Sequence, residues 1–381
     1  MKLAAAMLLL AAPLAAQTAG SWEHLFGGYW KNLLGASRTV VNREPFADLL
    51  ARLRLTYDGR YQDWFQVQVA YDNEAHFGNL IRQPEFALVR DRQAAAWFDL
   101  HAVPLDEKHV YWDTSLYRAS VSFRKGGLSL TLGRQRIGWG TARFWSPADA
   151  FNPLSPLQLE PEERQGVDGA YLEWNFSGNW ICAAAVLPQK RFSDGAVAAR
   201  LATTAGGWDI AGFLGRFERD WMGGVEAAGQ WGGAGLRAEA TYRKRDPRRP
   251  ENDAFRFTAG ADYAFANTLY IVGEYFYNQG QPALGPGFSP AALLRFTTEI
   301  FTLNRHFLSG GAGYDVTPLF RVEAYAVVDL AGAGVFFQPQ ALYNLTPNTD
   351  LRAGAQLFAS RPGGDFAPLS NLVFAELVVH F

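Results

Sequence analysis

The chain is 381 residues long, 49% hydrophobic and 19% charged, with 35 Lys and Arg against 37 Asp and Glu for a net charge of −2. Charges so balanced and mixed give none of the basic footprint that nucleic-acid binding requires. The single cysteine, Cys182, rules out an internal disulfide; beyond the N-terminus no apolar run approaches the roughly 18 residues of a transmembrane helix, so any membrane span has to be built of strands.

Residues 1–17, MKLAAAMLLLAAPLAAQ, combine Lys2, an apolar run and a small-residue site ending near Ala16. This is the pattern of a secretory signal peptide, too short to span a bilayer, and no cysteine follows that would carry a lipid anchor. The expected organisation is a signal peptide over 1–16 and a single domain over 17–381.

Residues 49–72, LLARLRLTYDGRYQDWFQVQVAYD, alternate strictly on either side of a DGRYQD turn. Period two sends Leu49, Ala51, Leu53 and Leu55 to one face of a strand and Arg52 and Arg54 to the other, with Gln66 and Gln68 set between Phe65, Val67 and Val69 in the next strand. The same double run recurs at YRASVSFRKGGLSLTLG, GAYLEWNFSGNWICAAAVL, RFTAGADYAFANTLYIVGEYFYN, GGAGYDVTPLFRVEAYAVVDL and VFFQPQALYNLTPNTDLRAGAQLFAS. Their turns use the Gly, Asn, Asp and Pro chemistry of tight reversals. Longer connections separate them, at 73–112, 138–165 and 280–303, with an intermediate one at 361–369.

The count is about eighteen strands of roughly 9 to 12 residues, or about sixteen if the weakly patterned stretches near Leu25 to Leu34 and around 196–231 are not strands. An even number puts both termini on the short-turn side. Aromatic residues collect on the apolar face near those turns, at Tyr57, Phe65, Phe123, Trp174, Phe176, Tyr263, Phe265, Tyr314 and Phe320, as in the girdle of a membrane barrel. The predicted fold is all-β, a transmembrane antiparallel up-and-down β-barrel, with the Leu face toward lipid and the Arg face toward an aqueous lumen.

The C-terminus, SNLVFAELVVHF, alternates to a terminal Phe381. It resembles the terminal signal of outer-membrane barrel proteins, which implies the cell outer membrane as location and the barrel assembly machinery as a partner that reads Phe381. A buried last strand ending in Phe is the other reading. Residues 132–154, LGRQRIGWGTARFWSPADAFNPL, depart from alternation; with Gly133-Arg134-Gln135, Trp139-Gly140 and the Pro147 to Pro153 turn they resemble a stretch of alginate-export-type porins and related barrels. The resemblance implies a porin-like barrel and does not name a cargo.

Leu128, Leu130 and Leu132 are in phase with Arg134 and Arg136. A regular strand would hold both arginines outward, where lipopolysaccharide phosphates could pair with them; a bulge at Gly133 would turn both into the lumen, and that placement is the expectation. The lumen would then carry a basic wall of Arg52, Arg54, Arg118, Arg124, Arg134 and Arg136 with Gln66 and Gln68. The loop after it offers Asp149, Glu160, Glu162 and Glu163. Folded inward, these carboxylates would either face the arginines across a constriction or pair with them and fill the lumen. Later lumen positions mix Arg237, Arg243, Arg256, Arg305, Arg321 and Arg352 with Glu239, Asp262, Glu274, Glu323 and Glu376.

His101, Asp106, Glu107 and His109 share a long loop but match no compact ligand spacing, and no G-x-S-x-G motif is present, so neither a metal, a cofactor nor a catalytic residue is expected. The expected function is a channel for passive diffusion of small polar or anionic solutes. The alternatives are a barrel with plugged lumen whose loops bind a polysaccharide or protein, and, more weakly, an outer-membrane enzyme.

Overall fold

The first alternating hairpin folds as two paired strands, Pro45–Tyr61 and Phe65–Gly78. Arg52 and Arg54 are buried on one face, and Leu55 on the other is 44% exposed. The computed structural model describes residues 17–19, 22–40, 42–86, 90, 97–152, 156–160, 164, 166–248, 252–280, 302–362 and 364–381. The expected signal peptide lies outside the described residues.

In chain order the strands are β1 (Gln17–Ala19), β2 (Trp22–Arg38), β3 (Pro45–Tyr61), β4 (Phe65–Gly78), β5 (His101–Asp106), β6 (Val110–Lys125) and β7 (Leu128–Gln135). Next come β8 (Val167–Ser177), β9 (Trp180–Leu187), β10 (Ala196–Ala205), β11 (Trp208–Phe217), β12 (Asp220–Trp231), β13 (Ala234–Lys244) and β14 (Ala254–Ala264). The last are β15 (Tyr270–Asn278), β16 (His306–Thr317), β17 (Phe320–Asp329), β18 (Gly334–Thr346), β19 (Thr349–Ala359) and β20 (Leu372–His380).

Each wall strand pairs antiparallel with its neighbours, and β2 pairs with β20 through Lys31↔Val378 and Leu33↔Glu376, so the sheet closes as an 18-stranded barrel. The weakly patterned stretches are strands, β2 and β10 to β12, which gives the higher of the two expected counts. The other two strands are additions: β1 pairs with the start of β2, and β5 pairs with the part of β6 that β7 leaves unpaired. Closure gives each of the eighteen described wall strands a partner on both sides, the condition a sheet must meet in lipid.

Gln17, the first described residue, and Phe381 both lie on the side of the short turns. Phe381 exchanges backbone hydrogen bonds with Gly28 at 2.9 and 3.1 Å, continuing the seam between last strand and first. At the β10–β11 turn Gly206 (φ 60°) and Gly207 (φ 81°) supply the left-handed pair that a two-residue hairpin needs.

The outward face is apolar: Leu214 is 60% and Val225 59% exposed. Aromatics ring it near the short turns, with Phe65 packed on Phe123, Trp174 on Phe176 and Tyr263 on Phe265. A second set of outward aromatics, Phe77, Trp112, Trp221, Tyr242 and Phe255, lies toward the opposite ends of their strands. Two aromatic levels with aliphatic side chains between them are the outer dress of a bilayer-spanning barrel.

Candidate constriction site

The strand register puts Arg52, Arg54, Gln66, Gln68, Arg118 and Arg124 on the inward face of adjacent strands. They differ in what they touch. Arg52 Nε donates to Glu74 at 2.8 Å and its Nη1 to Glu160 at 2.8 Å. Arg54 pairs with Asp72 at 2.6 Å and lies over the Tyr117 ring at 3.7 Å. Gln66 and Gln68 both donate to Asp58, and the exposed Arg124 donates to Gln66 Oε1 at 2.9 Å. Arg118 donates to the carbonyls of Tyr117 and Arg164.

The two arginines expected to enter together are separated. Pairing along β7 stays regular from Leu128 to Gln135, although Gly133 takes φ 111°, and the register shift falls on β6 instead, where Tyr117 is the extra residue. Arg134 therefore keeps the phase of Leu128 and Leu132. It is buried against Asp168 at 2.7 Å and donates to the Phe98 carbonyl at 2.7 Å and the Leu116 carbonyl at 3.0 Å. It belongs neither with the basic wall nor at the lipid surface. Arg136, past the strand end, is exposed and lines a cleft of about 240 Å³ inside the barrel.

The segment after β7 folds into the barrel. Ile137, Trp139, Ala148, Ala150 and Phe151 pack on Ala185, Leu187, Ala198, Phe213, Phe217 and Met222, the inward side chains of β9 to β12. Phe144 and Trp145 pack on Phe276, Phe307, Val327 and Phe336 from β15 to β18. This reciprocal packing explains the poor alternation around 196–231: where the apolar loop covers it, at Ala198, Phe213, Phe217 and Met222, the inward face is apolar, with charge kept to residues such as the Arg200–Glu226 pair.

Polar contacts fix the loop's height. Glu239 and Glu274 are the central residues of the 11-residue β13 and the 9-residue β15, and are 1% and 2% exposed. Glu239 accepts the backbone N–H of Thr141, of Ala142 at 2.6 Å and of Ala148 at 3.0 Å, and the Ser146 hydroxyl at 3.0 Å. Glu274 accepts the N–H of Arg143 at 2.8 Å, Phe144 at 3.2 Å and Trp145 at 2.7 Å. The sequence shows both as lumen positions but not this task, since their partners are backbone groups of a distant segment.

Beyond the turn, the Leu157 and Leu159 carbonyls accept from Gln356 and Arg352 at 3.2 Å each. Glu160 accepts from Lys31 and Arg52, each at 2.8 Å, and so binds the wall rather than facing it across a gap. Burial alone would raise the Glu160 carboxyl, but Arg52 and Lys31 outweigh it and hold it well below the usual carboxylate range. Asp149 turns back to Arg164 in its own loop at 2.8 Å. Burial pushes its carboxyl up to about 7, with Arg164 opposing. Glu162 and Glu163 lie outside the described residues.

The acidic loop and basic wall are thus joined by ion pairs at Arg52 and Glu160. The cleft is lined instead by Arg136, Arg143 and Arg164 with Thr141, Ser146 and Asp149. Arg143 and Arg164 escape the sequence reading because they sit in the irregular segment, where no period assigns a face. Of the loop histidines, His101 lies 3.3 Å from Asp113 and His109 beside Arg82. Among the described residues no group of three or more His, Cys, Asp or Glu is placed to hold a metal.

No protein-family model matches this chain, and no curated protein matches it. Solved structures share its fold. Acinetobacter baumannii OccAB4 superposes with a TM-score of 0.60 at 12% identity, covering 95% of this chain and 99% of that one. Pseudomonas aeruginosa OccD3 (OpdP) gives 0.58 at 11%, covering 98% and 95%, and the outer membrane protein opdK of the same organism 0.58 at 10%, covering 93% and 98%. At such identities the likeness is one of fold: this chain is similar to these barrels over nearly its whole length.

Proposed function

We propose that the chain is an outer-membrane channel for passive diffusion of small polar solutes, and that it favours anions. The observation that carries this is the cleft beside the inward loop, where Arg136, Arg143 and Arg164 meet the buried carboxylate of Asp149. A wall of eighteen strands encloses more space than side chains alone fill, and fixed charge at its narrowest level selects among solutes. Outside, the surrounding partners are lipid and lipopolysaccharide, toward which Arg216 points, in phase with the exposed Leu214. A second reading, a binding barrel with plugged lumen, draws on the depth to which Trp139, Phe144, Trp145 and Phe151 fill the interior.

A planar-bilayer recording separates the two. The channel reading expects steady conductance with an anion-directed reversal potential under a salt gradient. Changing Arg136 and Arg143 to Glu should move that potential toward cations, with an effect that shrinks as salt screens the charges. Absence of conductance from folded protein would give precedence to the plugged barrel.

A further inference from the structure

We propose that Glu239 and Glu274 set the aperture: as a pair of wall carboxylates at mid-height, they hold the inward loop by its backbone N–H groups and so position the cleft arginines. The inference rests on the channel reading for what the aperture passes; the anchoring itself stands on the contacts.

From Thr141 to Trp145, five consecutive backbone N–H groups point at the wall, and Ala148 adds a sixth. Buried N–H groups without an acceptor are costly. Successive amides that converge form an anion-binding concavity, and each of the two concavities here is filled by a carboxylate from the barrel. Neither carboxylate has a cation partner among the described residues; the arginines flanking Glu239 on β13 are engaged elsewhere, Arg237 with Asp262 and Arg243 with Asp220. Their charge is answered by the loop amides.

That makes the pair specific for the docked loop. Without it, two carboxylates would stand in the lumen with water as their only solvent, and the loop would carry six bare donors. Glutamine is no substitute, since its amide would turn an N–H₂ donor toward at least one of the loop's donors. Gly140 shows how close the approach is: it takes φ 90°, and a Cβ there would lie 2.1 Å from Ser146 Oγ and 3.0 Å from Glu239 Oε1. The Trp145 ring, stacked on Phe276 at 5.1 Å with its indole N–H on Ser309 at 3.1 Å, adds an apolar contact beside the second concavity.

The test uses the full chain in lipid, with Glu239→Gln, Glu274→Gln and the double variant, and with Glu173→Gln on the inward face of β8 as control. Gly140→Ala disturbs the same contact from the loop side and serves if a wall variant fails to fold. The expected result is severalfold faster hydrogen exchange in the peptide spanning 139–149, together with higher conductance and a shifted reversal potential, all absent in the control. Faster exchange in a protein that conducts neither before nor after substitution would keep the anchoring and remove the channel reading. Unchanged exchange in the folded double variant and in Gly140→Ala, whatever the conductance, would overturn the proposal and leave the aromatic clusters as the anchor.

Discussion

Glu160 offers the most direct energetic test of the loop's attachment. Glu160→Gln removes the charge that Lys31 and Arg52 share and leaves one neutral acceptor in its place. Charge-assisted hydrogen bonds contribute roughly 1.5–3 kcal/mol net each. Arg52 retains Glu74 at 2.8 Å and Lys31 retains Glu376 at 3.6 Å, so the roughly 3–5 kcal/mol cost of stranding a buried charge is not reached. The expected destabilisation is about 2 kcal/mol, read as a lowered midpoint for urea unfolding in lipid vesicles by Trp fluorescence near neutral pH. The sign with pH follows from the depressed carboxyl: the stabilisation is present above the unfolded value of about 4.3 and is lost as pH falls through the folded value. The gap between wild type and variant should therefore persist into mild acid and narrow only below it. Equal midpoints at neutral pH, or a gap that narrows as pH rises, would refute the reasoning.

Leu53→Arg, on the lipid face, should cost roughly 2 to 4 kcal/mol near mid-membrane while Gln68→Arg in the lumen is tolerated; equal folding yields would mean that the faces are reversed. Deleting Phe381 removes the backbone pair to Gly28, and surface levels measured by whole-cell labelling should fall as the protein fails to insert. Asp149, with its carboxyl raised to about 7, leaves Arg164 less compensated below that pH. Anion preference should be stronger in mild acid than in mild alkali, and Asp149→Asn should abolish that dependence in reversal-potential measurements. The same raised carboxyl favours the folded state most below about 3.9 and progressively less as pH rises toward the folded value, a slope that Asp149→Asn should flatten.

The strands were legible wherever one face met lipid and the other water, as in β3 and β4, where Leu53 and Arg54 part company at period two. Legibility failed for β10 to β12 because apolar residues fall on both faces, Val197 and Leu214 outside and Ala198 and Phe213 inside. The irregular segment announced itself by breaking alternation, yet its path could not be read, since that path is fixed by Glu239, Glu274 and Arg352 on strands far away in sequence. Arg134 shows the limit of a local cue: Gly133 does take a left-handed φ, but the register shift lies on the neighbouring strand at Tyr117.

The end of the inward loop sits astride the closure. Leu159 packs against Leu33 of β2, Leu50 of β3 and Phe374 of β20, and Glu160 grips Lys31, which itself lies 3.6 Å from Glu376. Every other strand pair in the wall joins neighbours in sequence; this one waits for the last residues of the chain to reach the first. The seat for Leu159 is complete only then, because Phe374 belongs to β20, so this end of the loop gains its full packing with closure. Pairings so remote in sequence form slowly, so this last anchor waits on the seam, whereas the contacts of Glu239 and Glu274 need no closure. Leu33 and Phe374 meet Leu159 from the two sides of that seam, so opening it breaks the loop's packing there.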